Sequence, residues 1–407
     1  MKTFPLILHT VFLLCFASLI QAQQGGNVRS IVDRQIQNAL NPEMQRLIDT
    51  TVATGMVVGV VADGKIVHMR AYGLYDARDS TPFDVKQAQS WASVSKLPTA
   101  IAAWQLMTRY PADFTLDTTA GEVLGNSWSS SSHTDFKKKS EATVRQLLAH
   151  RSGIRGYKGA VTPSDPRGIH KGDWKTAYSR VRTLGTVPEW NPTACINYYR
   201  DKSMLDIRRL QEVDSRLWHA HYPHRYSSFG TCVLGAMIEQ TIKNLSKEGK
   251  LQERLPENTY YGWVRSQIAT PAGLRNLQVN KGQRFILPGG GWQSDIEDMT
   301  KFMIAMMNED LVPMSDLYAV VPNNSGYGLG VRLRRGANNI WYVGHGGSQG
   351  LVRSTISIRA TGNMNPTVHN SNFGVAVMIN GKKAKTDTGS DANARRVVDL
   401  VYSALNP

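Results

Sequence analysis

Ser93-Val94-Ser95-Lys96, followed by Pro98 and the apolar run Ala100-Ile101-Ala102-Ala103-Trp104-Gln105-Leu106-Met107, is the stretch on which this chain's reading turns. A serine and a lysine three residues apart share one helix face. A neutral lysine amine so placed can take the proton of the Ser93 hydroxyl and turn a weak nucleophile into a useful one. Pro98 suits a first helical turn, where a missing N–H costs nothing. The apolar run predicts a buried helix. Ser93 is thereby expected at a helix N-terminus, where the dipole favours developing negative charge. A Ser-x-x-Lys tetrapeptide also arises by chance, and a serine before a helix is often only an N-cap. The rest of the chain decides.

Outward from this segment, Met56 to Ala62 and Lys65 to Tyr72 are β-rich and flank Asp63-Gly64, a strong two-residue hairpin signal. Val28, Ile31, Val32, Ile36 and Leu40 space out as the apolar face of an N-terminal helix. Helical patterns and long loops run from Ser93 to about Asn324. Strand-like runs return at Ile340–Val343, Ser354–Ile358 and Phe373–Ile379, and Ala392–Ala404 reads as a closing helix. An α/β (α+β) fold follows, with N- and C-terminal segments in one antiparallel sheet flanked by helices. The α/β part covers about 28–92 and 325–407, and a helical part of about 93–324 is inserted between them. Gly156 to Arg225 fits no simple periodicity.

The same order of segments resembles the serine β-lactamase and penicillin-binding protein superfamily, in its class C-like branch. That branch holds class C β-lactamases, D-alanyl-D-alanine carboxypeptidases, D-aminopeptidases and related esterases. Thr143-Val144-Arg145-Gln146-Leu147-Leu148-Ala149-His150-Arg151-Ser152-Gly153 looks like its T-x-R-x-L-L-x-H-x-S-G segment, and Tyr226-Ser227-Ser228 like its Tyr-x-Asn box. Pro288-Gly289-Gly290-Gly291-Trp292-Gln293-Ser294 and Tyr327-Gly328-Leu329-Gly330 recur in family order. His345-Gly346-Gly347 stands where the family has Lys-Thr-Gly or His-x-Gly. The resemblance implies a β-lactamase/transpeptidase-like fold with the active site in the groove between its two parts. Gly156–Arg225 matches the variable region bordering that groove.

The resemblance also assigns roles. Ser93 would be the nucleophile, Lys96 its base and Tyr226 a second proton carrier. The backbone N–H groups of Ser93 and Ser348 would form the oxyanion hole. Ser228, His345, Gly346 and Gly347 would bind substrate. Two departures bear on substrate. Ser228 replaces an asparagine amide with a shorter hydroxyl, and His345 replaces a permanent cation with a ring that is only partly charged at neutral pH. Both weaken the expectation of efficient β-lactam turnover and favour short-chain esters or D-amino-acid peptides and amides. A β-lactamase is the alternative, as is a non-catalytic penicillin-binding-like sensor or cell-wall-binding protein. The implied chemistry needs no cofactor and no metal.

Two other patterns compete. Gly346-Gly347-Ser348-Gln349-Gly350 matches Gly-x-Ser-x-Gly, but that elbow needs a strand-to-helix turn, and strand-like segments lie on both sides here. His219-Ala220-His221-Tyr222-Pro223-His224 offers three imidazoles without a carboxylate or cysteine partner motif, so a polar loop is expected in place of a zinc site.

Met1-Lys2, an apolar core from Phe4 to Ile20 and Gln21-Ala22 read as a signal peptide over residues 1–22, leaving a single domain over 23–407 in a secreted or periplasmic protein. No integral membrane segment is then expected after cleavage. Cys195 and Cys232 remain, able to pair in an oxidising compartment or to stay as two thiols. The net charge of +15 favours loose association with anionic cell-wall or surface polymers. Lys137-Lys138-Lys139, Arg332 with Arg334-Arg335, and Lys382-Lys383 with Lys385 are expected on solvated faces and turns. No nucleic-acid-binding motif is present, so the expected partner is a small-molecule or peptide substrate.

Overall fold

The structure, a computed structural model, describes residues 25–50, 52–76, 78, 80–125, 128, 139–154, 192–198, 224–279, 286–318, 326–336, 340–360, 372–381 and 391–405. Its strands are β1 (Ala53–Ala62), β2 (Lys65–Asp76), β3 (Thr81–Pro82), β4 (Gln89–Ser90), β5 (Gln278–Val279), β6 (Trp292–Ser294), β7 (Arg332–Arg335), β8 (Trp341–Gln349), β9 (Val352–Arg359) and β10 (Phe373–Gly381). Its helices are α1 (Gly25–Asp49), α2 (Lys96–Arg109), α3 (Ala120–Leu124), α4 (Val144–Leu148), α5 (Pro192–Tyr198), α6 (Ser228–Lys247), α7 (Tyr260–Trp263), α8 (Leu287–Gly290), α9 (Ile296–Met307), α10 (Met314–Tyr318) and α11 (Ala392–Leu405).

Seven strands form one antiparallel sheet in the order β3-β2-β1-β10-β9-β8-β7. The Asp63-Gly64 hairpin closes as its sequence predicts. Both residues have positive φ, 49° and 70°, the backbone that a two-residue type I′ turn requires. β1 then pairs with β10, from Ala53 opposite Gly381 to Ala62 opposite Phe373. This pairing joins the two ends of the chain in one sheet and leaves the intervening segment to pack beside it.

β1 is central and covered on both faces, which explains its nearly unbroken apolar sequence. Met56, Val58 and Val60 pack with Ile36, Leu40 and Leu47 of α1 and Val397, Val398 and Val401 of α11. Val57 and Val61 face the opposite core, which includes Met299, Phe302 and Met303 of α9. At Gly59 a β-carbon would lie 2.1 Å from the Thr300 hydroxyl, so only glycine lets α9 approach here. Glu43 ties the two outer helices together through Arg46 and Arg396.

The helical run Ala100–Met107 is buried as expected, apart from the half-buried Trp104. Two short strands, β5 and β6, also lie within the inserted segment, and β6 pairs with β4 on one side and β5 on the other in a three-stranded sheet. One charge expectation is corrected. Lys139 is fully buried, with its ammonium 4.5 Å from the centre of the Trp128 ring. Arg334 is likewise drawn into the sheet, paired with Asp399 at 3.1 Å and set over Tyr342. An apolar stem and a cation–aromatic contact offset the loss of water around such cations. Lys137, Lys138, Lys382, Lys383 and Lys385 lie outside the described residues, as do the signal segment and nearly all of Gly156–Arg225.

Candidate active site

β4, β6 and the edge of β8 fix the backbone that carries Ser93. Trp91 N–H donates to the Trp292 carbonyl at 2.8 Å, and its indole N–H donates to Ser294 Oγ at 2.8 Å. The Trp91 carbonyl accepts from Ser354 Oγ at 2.7 Å. Ala92 takes φ +47°, rare for a residue with a β-carbon. Its N–H is held by Ser90 Oγ, which donates to Gln349 of β8 at 2.8 Å. The chain then makes a 3-10 turn over Ala92–Ser95 and enters α2 at Lys96. Ser93 therefore sits one turn before the α-helix, inside the 3-10 turn that leads into it.

Lys96 Nζ is 3.1 Å from Ser93 Oγ, 3.0 Å from Ser228 Oγ and 2.6 Å from the Gly289 carbonyl. Lys96 is 3 % exposed, while Ser93 is half-buried and reachable from the groove. A neutral amine here can accept the Ser93 proton while donating to Ser228 and Gly289. Thr99, one turn on, donates to the Pro288 carbonyl at 2.8 Å, so α2 grips α8 at two successive carbonyls. The structure thus brings Ser93, Lys96 and Ser228 together. It gives Ser228 a role in holding the amine, beside the substrate contact expected for it.

Tyr226 is 39 % exposed at the mouth of the site. The Lys96 ammonium lies 4.8 Å from the centre of its ring, and its hydroxyl hydrogen-bonds to Tyr327. Tyr327 in turn bonds His345 Nε2 at 2.8 Å, and His345 Nδ1 meets the Gly346 carbonyl at 2.6 Å. The carbonyl can only accept, so Nδ1 carries the proton, and in the neutral ring Nε2 accepts from the Tyr327 hydroxyl. Burial first, then the Lys96 charge, pushes the His345 pKa down to about 3. The expectation of a partly charged ring at neutral pH is therefore corrected: a 3 % exposed imidazole beside a lysine stays uncharged.

Ser348 lies near the end of β8, which turns at Gly350 straight into β9, with Gln349 paired to Val352. The segment is a hairpin strand, so the Gly-x-Ser-x-Gly match has no strand-to-helix elbow. Gly347 is required where it stands. A β-carbon would lie 2.3 Å from Ser354 Oγ, 2.6 Å from the Trp91 carbonyl and 2.9 Å from Ala92 Cβ. At Gly346 one would lie 1.6 Å from the Asp391 carboxylate. Gly347 thus lets β8 lie against the Ser93 turn, bringing the Ser348 backbone toward the nucleophile, while Gly346 makes room for Asp391.

His150 and Tyr327 stand in the sequence only as parts of motifs, and the structure gives them a place. Thr143 caps α4 in a reciprocal capping box with Gln146, and just past the Ala149 cap at its other end His150 takes φ +54°. That backbone turns His150 inward, where Nδ1 accepts the Ser227 N–H at 3.3 Å. Its ring lies 4.6 Å from that of Tyr226 and 5.0 Å from that of Tyr327. Burial, then Lys96, holds the His150 pKa well below the ordinary imidazole value. His224 stacks on Tyr327 with ring centres 5.2 Å apart, while His219 and His221 lie outside the described residues. Gly289, which supplies an acceptor through its backbone, could not be singled out from a glycine run.

A family model described as Beta-lactamase matches residues 44–400, and the chain belongs to that family. It is 23 % identical over 347 residues to the human serine β-lactamase-like protein LACTB, mitochondrial, the match covering 69 % of this chain and 61 % of that protein. The D-amino acid amidase of Ochrobactrum anthropi SV3 superposes with a TM-score of 0.60 at 16 % identity, over 92 % of this chain and 98 % of that one. EstCE1, a hydrolase with promiscuous acyltransferase activity, superposes with a TM-score of 0.62 at 17 % identity, over 91 % of this chain and 100 % of that one. At such identities the superpositions establish the β-lactamase/transpeptidase fold. The chain is a serine-hydrolase-like protein on that fold.

Proposed function

We propose that this protein is a secreted, class C-like serine hydrolase that forms an acyl-enzyme on Ser93 and acts on short-chain esters or D-amino-acid peptides and amides. The observation that carries the reading is the Lys96 amine, 3.1 Å from Ser93 Oγ and held by Ser228 and Gly289. Lys96 takes the Ser93 proton as Oγ attacks the carbonyl carbon. The resulting oxyanion lies toward the N–H groups of Ser93 and Ser348. The leaving group departs with a proton returned through Lys96, with Tyr226 at the mouth as the second carrier. Water then attacks the acyl-enzyme by the reverse proton path.

Substrate choice follows from the contacts that Ser228 and His345 already make. Ser228 Oγ accepts from Lys96. It keeps one proton and one lone pair for a substrate amide, where an asparagine would offer two donors and a carbonyl. His345 is neutral, with both ring nitrogens engaged, and supplies no charge to a β-lactam carboxylate. Each lost hydrogen bond to a charged group costs about 1.5–3 kcal/mol, and each 1.36 kcal/mol is about tenfold in rate. An activated ester needs neither contact. In a panel of a nitrophenyl ester, a D-amino-acid amide and a chromogenic cephalosporin, kcat/KM is expected to be lowest for the cephalosporin. A cephalosporin turned over faster than the ester would make the protein a β-lactamase. Stable labelling without turnover of any of the three would make it a binding protein.

Export is the other part of the reading, supported by the pattern of residues 1–22. N-terminal sequencing of exported material should begin near Gln23, and intact Met1 on a soluble cytoplasmic product would contradict it.

A further inference from the structure

Away from the catalytic groups, α5 packs against α6. Thr193 Oγ1 donates to Glu239 Oε1 at 2.9 Å. Pro192 Cγ lies 3.4 Å from where a β-carbon on Gly235 would be. Cys195 hydrogen-bonds Cys232. Residues 192, 193 and 195 of α5 thus meet residues 235, 239 and 232 of α6. Gly235, one turn from Cys232, leaves room chiefly for Pro288 of α8, with Pro192 in ordinary contact beside it. Both thiols are buried, at 2 % and 0 % exposure, in the main core.

We propose that Cys195 and Cys232 are a disulfide site, joined as the chain folds by exchange with a small-molecule disulfide or a disulfide oxidoreductase. One thiolate attacks the oxidant's S–S bond and expels a thiolate, which takes up the proton. The second cysteine sulfur attacks the mixed disulfide, expels the second thiol and closes the Cys195–Cys232 bond. Two electrons pass to the oxidant, which leaves as two thiols. The contact brings the two sulfurs together, as a bridge requires.

The bond would hold an element that cannot hold itself. α5 has seven residues, fewer than the ~12–15 at which an isolated helix becomes stable. α6 begins at Ser228, a partner of Lys96. A crosslink at Cys232, one turn into α6, therefore ties α5 to the helix that positions Ser228. Burial, then the neighbouring thiol, raises the Cys195 pKa well above the usual thiol value. In the folded protein the thiolate is scarce and screened, which places bond formation during folding.

The test is refolding of the full chain in a mixture of reduced and oxidised glutathione, then alkylation under denaturing conditions without reductant and peptide mass mapping. The expected product has lost two hydrogen atoms, carries no alkyl group on Cys195 or Cys232, and yields a peptide pair joining them. It melts a few degrees above the same protein reduced. Alkylation of both cysteines, or glutathione retained on one with the other free, overturns the proposal. Neither result bears on Ser93 chemistry, and Cys15 is read separately by the same mapping. Cys195→Ala should abolish the peptide pair while keeping ester turnover measurable; a linked peptide persisting at Cys232 in that variant would mean that it pairs elsewhere.

Discussion

His345 shows how much one residue's environment changes its chemistry. In sequence it stands where a permanent cation is common, and an isolated imidazole titrates near neutrality. In the fold it is buried between Lys96, Arg332 and the Tyr327 hydroxyl, and its pKa falls to about 3. The sign of the stability effect follows. The unfolded chain takes up this proton below about pH 6.5, whereas the folded chain resists until about pH 3. Unfolding is therefore favoured increasingly as pH falls through that window. Urea midpoints of the parent should drop from pH 7 to pH 4 more steeply than those of His345→Asn. Equal slopes would contradict the neutral, tautomer-fixed histidine. None of this was legible in sequence, because Lys96, Tyr226, Tyr327 and His345 meet only in the fold.

Among the elements, those with local periodicity or a defined turn could be read directly. The Asp63-Gly64 hairpin, the buried α2 and the closing α11 follow from residues within a few positions of each other. β4, β5 and β6, of two or three residues each, carry no period and exist because Trp91 and Trp292 pair across 201 positions of chain. The seat of β8 on the Ser93 turn belongs to the same class, visible in sequence only as a pair of glycines. Gly347→Ala should displace β8, costing about 1–3 kcal/mol in stability through overpacking. A shift of about 1 Å at the oxyanion donors should lower kcat/KM by up to about a hundredfold. Gly273→Ala is the control, since it has φ +68° but nothing within 4 Å of its would-be β-carbon. It should cost some stability and leave the kcat/KM of the folded protein unchanged. Equal kcat/KM in the two variants would contradict the positioning role of β8.

At the scale of the whole molecule, the β1–β10 pairing closes the sheet from both ends of the chain and holds α2 and its neighbours along one side. The site forms where these parts meet: Ser93 and Lys96 at the start of α2, Tyr226 and Ser228 at the start of α6, Ser348 on the sheet edge. The order of motifs made that assembly legible, because each lies at an element end facing the groove. The central claim is that Ser93, and no other serine, takes the acyl group. Labelling with a fluorophosphonate, followed by mass mapping of the modified peptide, tests it most directly. The account predicts the label on Ser93, its loss in Ser93→Ala with at least about a thousandfold fall in ester turnover, and its persistence in Ser348→Ala. A label that survives Ser93→Ala and disappears in Ser348→Ala would contradict it.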